Sequence, residues 1–364
     1  MASFCRRAIT MTGMVCIALI AAMALRSPVA AQGYVQTNVV SDIPGLAGTP
    51  DTNLKNPWGV SFGPSGPLWV SDNETGVSTL YSLSGTTATV LGLVVAIPPP
   101  LNMMVPSLPT GQVFNSTSDF PVTPGNPATF LFASLDGTLS GWNFGVDMNN
   151  AHLVVDHSQS GAVYTGLAMA DINGKNYLYA ANFGKNHIDI FNGNFHPVSF
   201  RTSTLRPFHD PNISTAYAPF NIQNIGGKLF VTYARRDFNA APGLGFVDIF
   251  SPRGVLLKRL EPGWWMDAPW GVAVAPSSFG PFANDILIGN FGTGSGWIAA
   301  FHPVSGRFVG LVNDAFGFPI INDGLWALTF GNGGSAGDPN ILYFTAGIHG
   351  GADGLLGALT PSGG

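Results

Sequence analysis

Short runs of alternating apolar and polar residues recur along the chain, separated by turns rich in glycine, asparagine and proline. In one unit, the run from Leu68 to Asp72 is followed by a short loop and then by the run from Val77 to Tyr81. Alternation with a period of two residues is typical of β-strands, and Gly/Asn turns between such runs are typical of hairpins. The pattern therefore predicts an all-β chain.

A short phrase opens most of these units. Its copies are Asn56–Val60, Tyr164–Ala168, Ala218–Ile222, Ala268–Val272 and Asp323–Ala327. The last four copies recur about every 50–55 residues, and the gap between the first two is about twice that length. A further unit fits into this gap and contains the run 130–137. Six units of four short strands each predict a six-bladed β-propeller.

The ring of blades has to close, because an open array would leave unpaired strand edges. The last unit ends soon after Leu359, one strand short of a full blade. The segment Tyr34–Ser41 reads as a strand and precedes the first repeat. We therefore expect Tyr34–Ser41 to complete the last blade, and residues 32–364 to form one propeller domain.

The first 31 residues have the layout of a secretory signal peptide. Arg6 and Arg7 precede an apolar run from Met11 to Leu25, and Val29–Ala31 offers small residues for cleavage. The apolar run is shorter than the ~20 residues that a membrane-spanning helix needs. We therefore expect residues 1–31 to be removed, and the product to be periplasmic or extracellular with no membrane span.

Composition narrows the classes of partner and chemistry. Glycine (47) and proline (28) disfavour helical solenoids, and only 10% of residues are charged. Both cysteines, Cys5 and Cys16, lie in the expected signal peptide, so no thiol chemistry is expected after cleavage. Without the three arginines of that segment the chain has 12 basic and 20 acidic residues, which disfavours binding to nucleic acid. We expect a monomer.

Several blocks carry a resemblance to known proteins. The segments Thr37–Leu46, Asn56–Asn73 and Phe344–Gly347, the last followed by Ala352–Leu355, are similar to an uncharacterised family of bacterial secreted proteins. Some members of that family end in a PEP-CTERM sorting tail, whereas this chain ends at Thr360–Gly364 without one. More loosely, the blades resemble NHL-type and gluconolactonase-type propellers, which implies a shared scaffold rather than a shared reaction.

The repeat also predicts where a ligand site lies. First strands begin, and second strands end, at the same end of the ring, so aromatic and polar side chains at these places should gather around one mouth of the central channel. The candidates for ligand binding are Trp58, Asp72, Asn73, Asn182, Phe220, Arg235, Trp270, Asn290, Trp326 and His349. The alternative is that these residues shape loops or pack between blades.

Two functions remain open. The first is a binding or protein-interaction module that uses this mouth for a small-molecule or protein ligand. The second is a metal-assisted hydrolase or lactonase, with Ca²⁺, Mn²⁺ or Zn²⁺ held at the mouth. The metal ligands in that case would be Asp72, Asn182, Asn290 and Asp323. The lactonase-type resemblance implies a glutamate ligand, and this chain has no clear counterpart for it.

Overall fold

The computed structural model describes residues 33–101, 103–292 and 294–363. The expected signal peptide, residues 1–31, lies outside the described residues. Strands dominate the described part of the chain, and its three helices are single 3-10 turns. These turns are Ser158–Ser160, Gly280–Phe282 and His349–Gly351. No helix among the described residues is long and apolar enough to cross a membrane.

The strands are numbered β1 to β27 in chain order and form six sheets, with one separate small hairpin. The chain starts with β1 (Tyr34–Ser41) and β2 (Thr49–Pro50), which belong to the last sheet. The strands of blade 1 are β3 (Pro57–Ser61), β4 (Leu68–Asp72), β5 (Val77–Ser84), β6 (Thr87–Val90) and β7 (Val95–Ala96).

Blades 2 and 3 depart most from the regular pattern. Blade 2 consists of β8 (Pro109–Phe114), β11 (Phe130–Ser134), β12 (Thr138–Trp142) and β13 (His152–Asp156). The small hairpin between β8 and β11 is formed by β9 (Pro121–Thr123) and β10 (Asn126–Pro127). Blade 3 consists of β14 (Tyr164–Ile172), β15 (Lys175–Asn182) and β16 (His187–Asn192). Its outer edge is covered by an irregular segment, in which the Val198 amide donates to the Ile190 carbonyl.

Blades 4 and 5 are regular four-stranded sheets. Blade 4 consists of β17 (Tyr217–Ile225), β18 (Lys228–Arg235), β19 (Phe246–Phe250) and β20 (Leu256–Arg259). Blade 5 consists of β21 (Pro269–Val274), β22 (Ile286–Asn290), β23 (Ile298–Phe301) and β24 (Phe308–Leu311).

Blade 6 closes the ring. It contains β25 (Leu325–Phe330), β26 (Leu342–Ala346) and β27 (Leu355–Pro361), and β1 pairs antiparallel with β27. Tyr34 lies opposite Pro361 and Ser41 lies opposite Leu355. The N-terminal strand therefore completes the last blade over the residues predicted, and the six-bladed propeller is confirmed.

The first strand of each blade lies innermost, and each of these strands contacts those of the two neighbouring blades, so that β3, β8, β14, β17, β21 and β25 surround the axis. We call the end of the channel where these strands begin the upper end, and the other the lower end. The repeat phrase is too altered in blade 2 to predict its first strand from the sequence. That strand, β8, carries Pro109-Thr110-Gly111, which keeps the proline and glycine of Pro57-Trp58-Gly59 but lacks its tryptophan.

Apolar side chains fill the spaces between adjacent blades. One cluster joins blades 5 and 6 and includes Phe279, Leu287 and Phe344. Another joins blades 6 and 1 and includes Val70, Tyr81 and Tyr343. Strands that are buried on both faces in this way read as nearly continuous apolar runs, which explains why the second strand of each unit was so visible in the sequence.

Candidate functional site

Four aromatic side chains meet on the axis at the upper end of the channel. They are Trp58, Phe220, Trp270 and Trp326. The three tryptophans are the second residues of β3, β21 and β25, and Phe220 follows Pro219 in β17. The rings of Trp58 and Trp326 stack with centroids 3.5 Å apart, and Trp270 lies 6.1 Å from Trp58. All four are between 3% and 8% exposed. The predicted gathering is therefore present, but as a buried aromatic plug.

Hydrogen bonds between blades fix the plug. The indole Nε1 of Trp270 donates to the Thr165 carbonyl across the channel at 2.9 Å. That of Trp326 donates to Asn56 Oδ1 at 3.0 Å. Two of the four rings are therefore held by hydrogen bonds as well as by stacking, whereas Trp58 Nε1 has no partner among the described residues; the bonded pair favours a structural role for the plug.

The predicted polar residues lie around the plug and are also buried. Asn73 donates to the carbonyl of Pro109 in the next blade at 3.0 Å. Asn182 donates to Asp189 at 2.8 Å, and its oxygen accepts two backbone amides. Asn290 accepts the amide of Asp267 at 2.7 Å. In the structure these side chains hold loops and blade contacts, which is the alternative considered in the sequence analysis.

Asp72 is fully buried in a chain of hydrogen bonds. Thr79 Oγ1 lies 2.7 Å from Asp72 Oδ2 and 3.0 Å from the Tyr81 hydroxyl, which donates to Asp51 at 2.8 Å. Thr79 has a single hydroxyl hydrogen, so both of its contacts are satisfied when Asp72 is the protonated donor. Burial raises the pKa of Asp72 well above its ordinary value, consistent with this assignment.

Arg235 and His349 lie at the rim of the upper end. Arg235 forms an ion pair with Asp237 and lowers the pKa of that carboxyl to about 2. His349 is exposed, and its Nδ1 lies 2.8 Å from Asp353 Oδ2. Both side chains are accessible, in contrast to the plug.

The four metal ligands proposed for the hydrolase lie in different blades or in connections between blades. The side chains of Asp72, Asn182 and Asn290 form the separate local hydrogen bonds described above. Asp323 is exposed and accepts the Gly294 amide at 2.7 Å. No group of three or more His, Cys, Asp or Glu side chains in the described ranges is placed to hold a metal ion. The four residues do not form a shared coordination set.

The lower end of the channel contains a cavity of about 340 Å³. Residues from the second halves of the inner strands of blades 1, 2, 3, 4 and 6 line this cavity. Blade 5 contributes Trp270 of the plug. Five side chains lie at the same repeat position, two residues beyond that of Gly59 in the repeat phrase. They are Ser61, Val113, Ala168, Gln223 and Thr329.

The polar groups of this cavity are neutral. Its lining contains amide and hydroxyl side chains but no Asp, Glu, Lys, Arg, His, Cys or Tyr. Gln112 donates to the carbonyls of Gly59 and Trp69 at 3.0 and 2.7 Å, while its Oε1 has no partner among the described residues. The Gln223 amide makes no hydrogen bond to the described part of the chain. This cavity offers hydrogen bonding and apolar contact rather than acid–base chemistry.

Sequence reasoning missed these lower residues because it looked for repeated residue types. The positions that line the cavity differ from blade to blade, as Ser61, Gln223 and Thr329 show. Their signal is variation at one position, two residues beyond that of Gly59 in the repeat phrase.

Comparison with known proteins gives a family but no activity. No protein-family model matches the chain. It is 32% identical to uncharacterized protein R648 of Acanthamoeba polyphaga mimivirus over 333 residues, covering 88% of this chain and 78% of that protein. It is 33% identical to uncharacterized protein L690 of the same virus over 325 residues, covering 86% and 82%.

The chain belongs to the R648–L690 family. The alignments extend over most of the propeller, so the family shares it as a whole rather than a single blade. The relatives found are viral, and nothing in the comparisons supports the expected likeness to bacterial proteins with PEP-CTERM tails.

A solved streptogramin B lyase superposes with a TM-score of 0.52 at 11% identity, covering 91% of this chain and 98% of that one. At this identity the likeness shows the fold alone. It confirms the loose resemblance of the blades to NHL-type and gluconolactonase-type propellers as a likeness of scaffold, without transferring a reaction.

Proposed function

We propose that the chain is a binding module whose ligand site is the cavity at the lower end of the channel. The observation that carries this proposal is the neutral polar lining described above, which includes Gln223 and is free of ionisable side chains. A volume of about 340 Å³ lies within the range of small-molecule sites. The plug closes the other end, so a ligand enters and leaves through the lower mouth.

The lining favours an uncharged ligand. Burying a charge without a partner costs much more than burying a hydroxyl or amide that finds a hydrogen bond. The Gln223 amide lines the cavity and supplies both a donor and an acceptor to a ligand. Phe62 and Phe114 add aromatic surface to the same lining. A neutral saccharide, which combines hydroxyl groups with apolar C–H faces, is the class that matches this combination.

Three sugars of equal ring size test this proposal. Glucose is neutral, glucosamine carries an ammonium group and glucuronate carries a carboxylate. Calorimetric titration should detect glucose and neither charged sugar. Saturation with the neutral sugar should also raise the melting temperature, because a ligand at 100 times its dissociation constant stabilises by about 2.7 kcal/mol.

Two substitutions locate the binding. Gln223→Leu should abolish the effect of glucose, because it removes the donor and the acceptor while keeping a similar volume. Gln159→Leu makes the same change at an exposed position and should leave binding unaltered. Binding of glucuronate as tight as that of glucose, or glucose binding that survives Gln223→Leu, would overturn the proposal.

The metal-assisted hydrolase has weaker support, because its four proposed ligands are not brought together. Elemental analysis of the purified protein tests it directly. About one equivalent of a divalent ion, lost on Asn290→Ala, would restore that alternative.

We also propose that the protein is exported. The support is the arrangement of Arg6, Arg7 and the apolar run before Ala31 in the sequence. N-terminal sequencing of protein from the culture medium or periplasm should give Gln32 as the first residue. A protein retained in the cell with an intact N-terminus would contradict export.

A further inference from the structure

A second concave surface lies on blade 6, beside the plug at the upper end. It is a groove of about 680 Å³ between β1, the loop that follows β1, the connection that leads into β25 and the loop between β26 and β27. Apolar side chains form much of its lining. They are Ile43, Leu46, Phe291, Ile321, Ile348 and Leu355. Ile321 is 48% exposed, so the groove presents unpartnered apolar surface to solvent.

The amides in this groove satisfy one another. Gln36 donates to Asn322 Oδ1 at 3.0 Å, and Asn322 donates back to Gln36 Oε1 at 2.8 Å. Asp323 and His349 are the ionisable side chains of the lining. One oxygen of Asp323 accepts the Gly294 amide, and the other has no partner among the described residues. The available polar chemistry of the groove therefore belongs to Asp323 and His349.

His349 is held in a fixed orientation. Its backbone adopts a φ of 54°, a left-handed conformation that is uncommon for a residue other than glycine. Its Nδ1 contacts Asp353, whose other oxygen lies 3.8 Å from the Lys55 ammonium. Lys55 in turn is paired with Asp42 at 2.6 Å. The carboxylate of Asp353 accepts from Nδ1, so Nε2 of the neutral imidazole carries the lone pair.

Two acceptors therefore share a groove with apolar walls. The nearby cation, Lys55, is neutralised by Asp42 and Asp353, and the lining contains no other basic group besides His349. A carboxylate and an imidazole lone pair both favour a ligand that donates hydrogen bonds, and the carboxylate favours one with a positive charge.

We propose that the groove is a second ligand site, distinct from the channel cavity, that takes amphipathic amines. The ammonium group binds Asp323 and Nε2 of His349, and the alkyl part packs against Phe291, Ile321 and Ile348. Hydrogen bonds to a charged group are stronger than those between neutral groups, and the apolar surface adds affinity in proportion to its area.

Three probes with the same alkyl chain test this site. They are n-hexylammonium, 1-hexanol and hexanoate, each followed by ligand-detected NMR and by the imidazole ¹⁵N resonances of the protein. We expect hexylammonium to bind about tenfold more tightly than hexanol, which corresponds to about 1.4 kcal/mol. Hexanoate should bind more weakly than either. The Nε2 resonance of His349, assigned by its loss in His349→Gln, should shift on binding.

A matched pair of variants localises the effect. In Asp323→Asn the affinity for hexylammonium should fall to about the affinity for hexanol, because the carboxylate charge is removed. Asp171→Asn changes another exposed aspartate that accepts a glycine amide, and it should have no effect. Circular dichroism of each variant establishes that the fold is retained.

Two results would overturn the proposal. One is equal affinity for the amine and the alcohol. The other is a preference for the amine that is unchanged in both Asp323→Asn and His349→Gln. The site is independent of the channel cavity, so Gln223→Leu should leave amine binding intact.

Discussion

The two ends of the channel are built from the same six strands and yet differ in almost every property. At the upper end, Trp58, Phe220, Trp270 and Trp326 fill the axis and exclude solvent. At the lower end, the same strands surround a cavity lined by apolar side chains and neutral polar groups. The residues that repeat from blade to blade close the channel, and the residues that vary line the part that remains open.

This division has a physical cause. Four of the six inner strands carry an aromatic side chain near their start, and these four rings meet on the axis and pack closely against one another. The residues farther along these strands line the cavity and differ from blade to blade. Repetition in this fold therefore marks architecture, and variation at a fixed register marks the recognition surface.

The glycine of the repeat phrase makes close packing of the inner strands feasible. A Cβ placed on Gly111 would lie 2.4 Å from the Leu167 amide nitrogen of the next blade. One placed on Gly59 would lie 2.5 Å from the Thr110 carbonyl oxygen. Both contacts involve backbone, which has little room to move.

The largest effect is expected from removal of a plug ring. Trp58→Ala deletes the stack on Trp326 and leaves a cavity on the axis, so the free energy of unfolding should fall by about 3–5 kcal/mol in urea titrations. Trp264→Ala removes the same side chain from a position that is 54% exposed and should cost clearly less. Similar losses in the two variants would mean that the plug does not stabilise the ring.

A smaller effect is expected where inner strands touch. Gly111→Ala should lower the free energy of unfolding by about 1–3 kcal/mol, because the added methyl group overlaps the backbone of blade 3. Gly48→Ala adds a methyl group where no atom lies within 4 Å, and should be neutral or slightly stabilising. Equal stability of both variants would show that the strands are less tightly packed than described.

Asp72 offers a test by pH of whether the upper polar residues are structural. Folding raises its pKa, so its carboxyl is neutral in both states below about pH 4. Above that pH the unfolded chain gains stability by ionising, and the contribution of Asp72 to folding declines as the pH rises. Asp72→Asn avoids this loss, because its side-chain amide does not ionise and can still form a hydrogen bond with Thr79.

Denaturant titrations of both proteins between pH 4 and pH 8 measure this difference. The stability of Asp72→Asn relative to the wild type should increase with pH across that interval. A difference that stays constant would show that Asp72 is ionised in the folded protein.

The sequence was informative about the fold because strand alternation and the repeat phrase are local signals. They predicted the closing strand Tyr34–Ser41 and the meeting of the aromatic side chains. They did not indicate that the rings fill the axis, since that depends on the distance between strands far apart in the chain. Gln112 and Gln223 were missed for the same reason, because a cavity exists only after the ring has closed.

The central claim, that the channel is closed above and open below, is tested most directly by the reactivity of single thiols. With Cys5 and Cys16 replaced by serine, Ala218→Cys places a thiol in the buried surroundings of the plug and Thr329→Cys places one in the lower cavity. The rate of reaction with a small disulfide reagent measures access to each. We expect the Thr329→Cys thiol to react within about tenfold of a free thiol, and the Ala218→Cys thiol about a hundredfold more slowly, since it needs local opening. A faster reaction at Ala218→Cys than at Thr329→Cys would contradict the account.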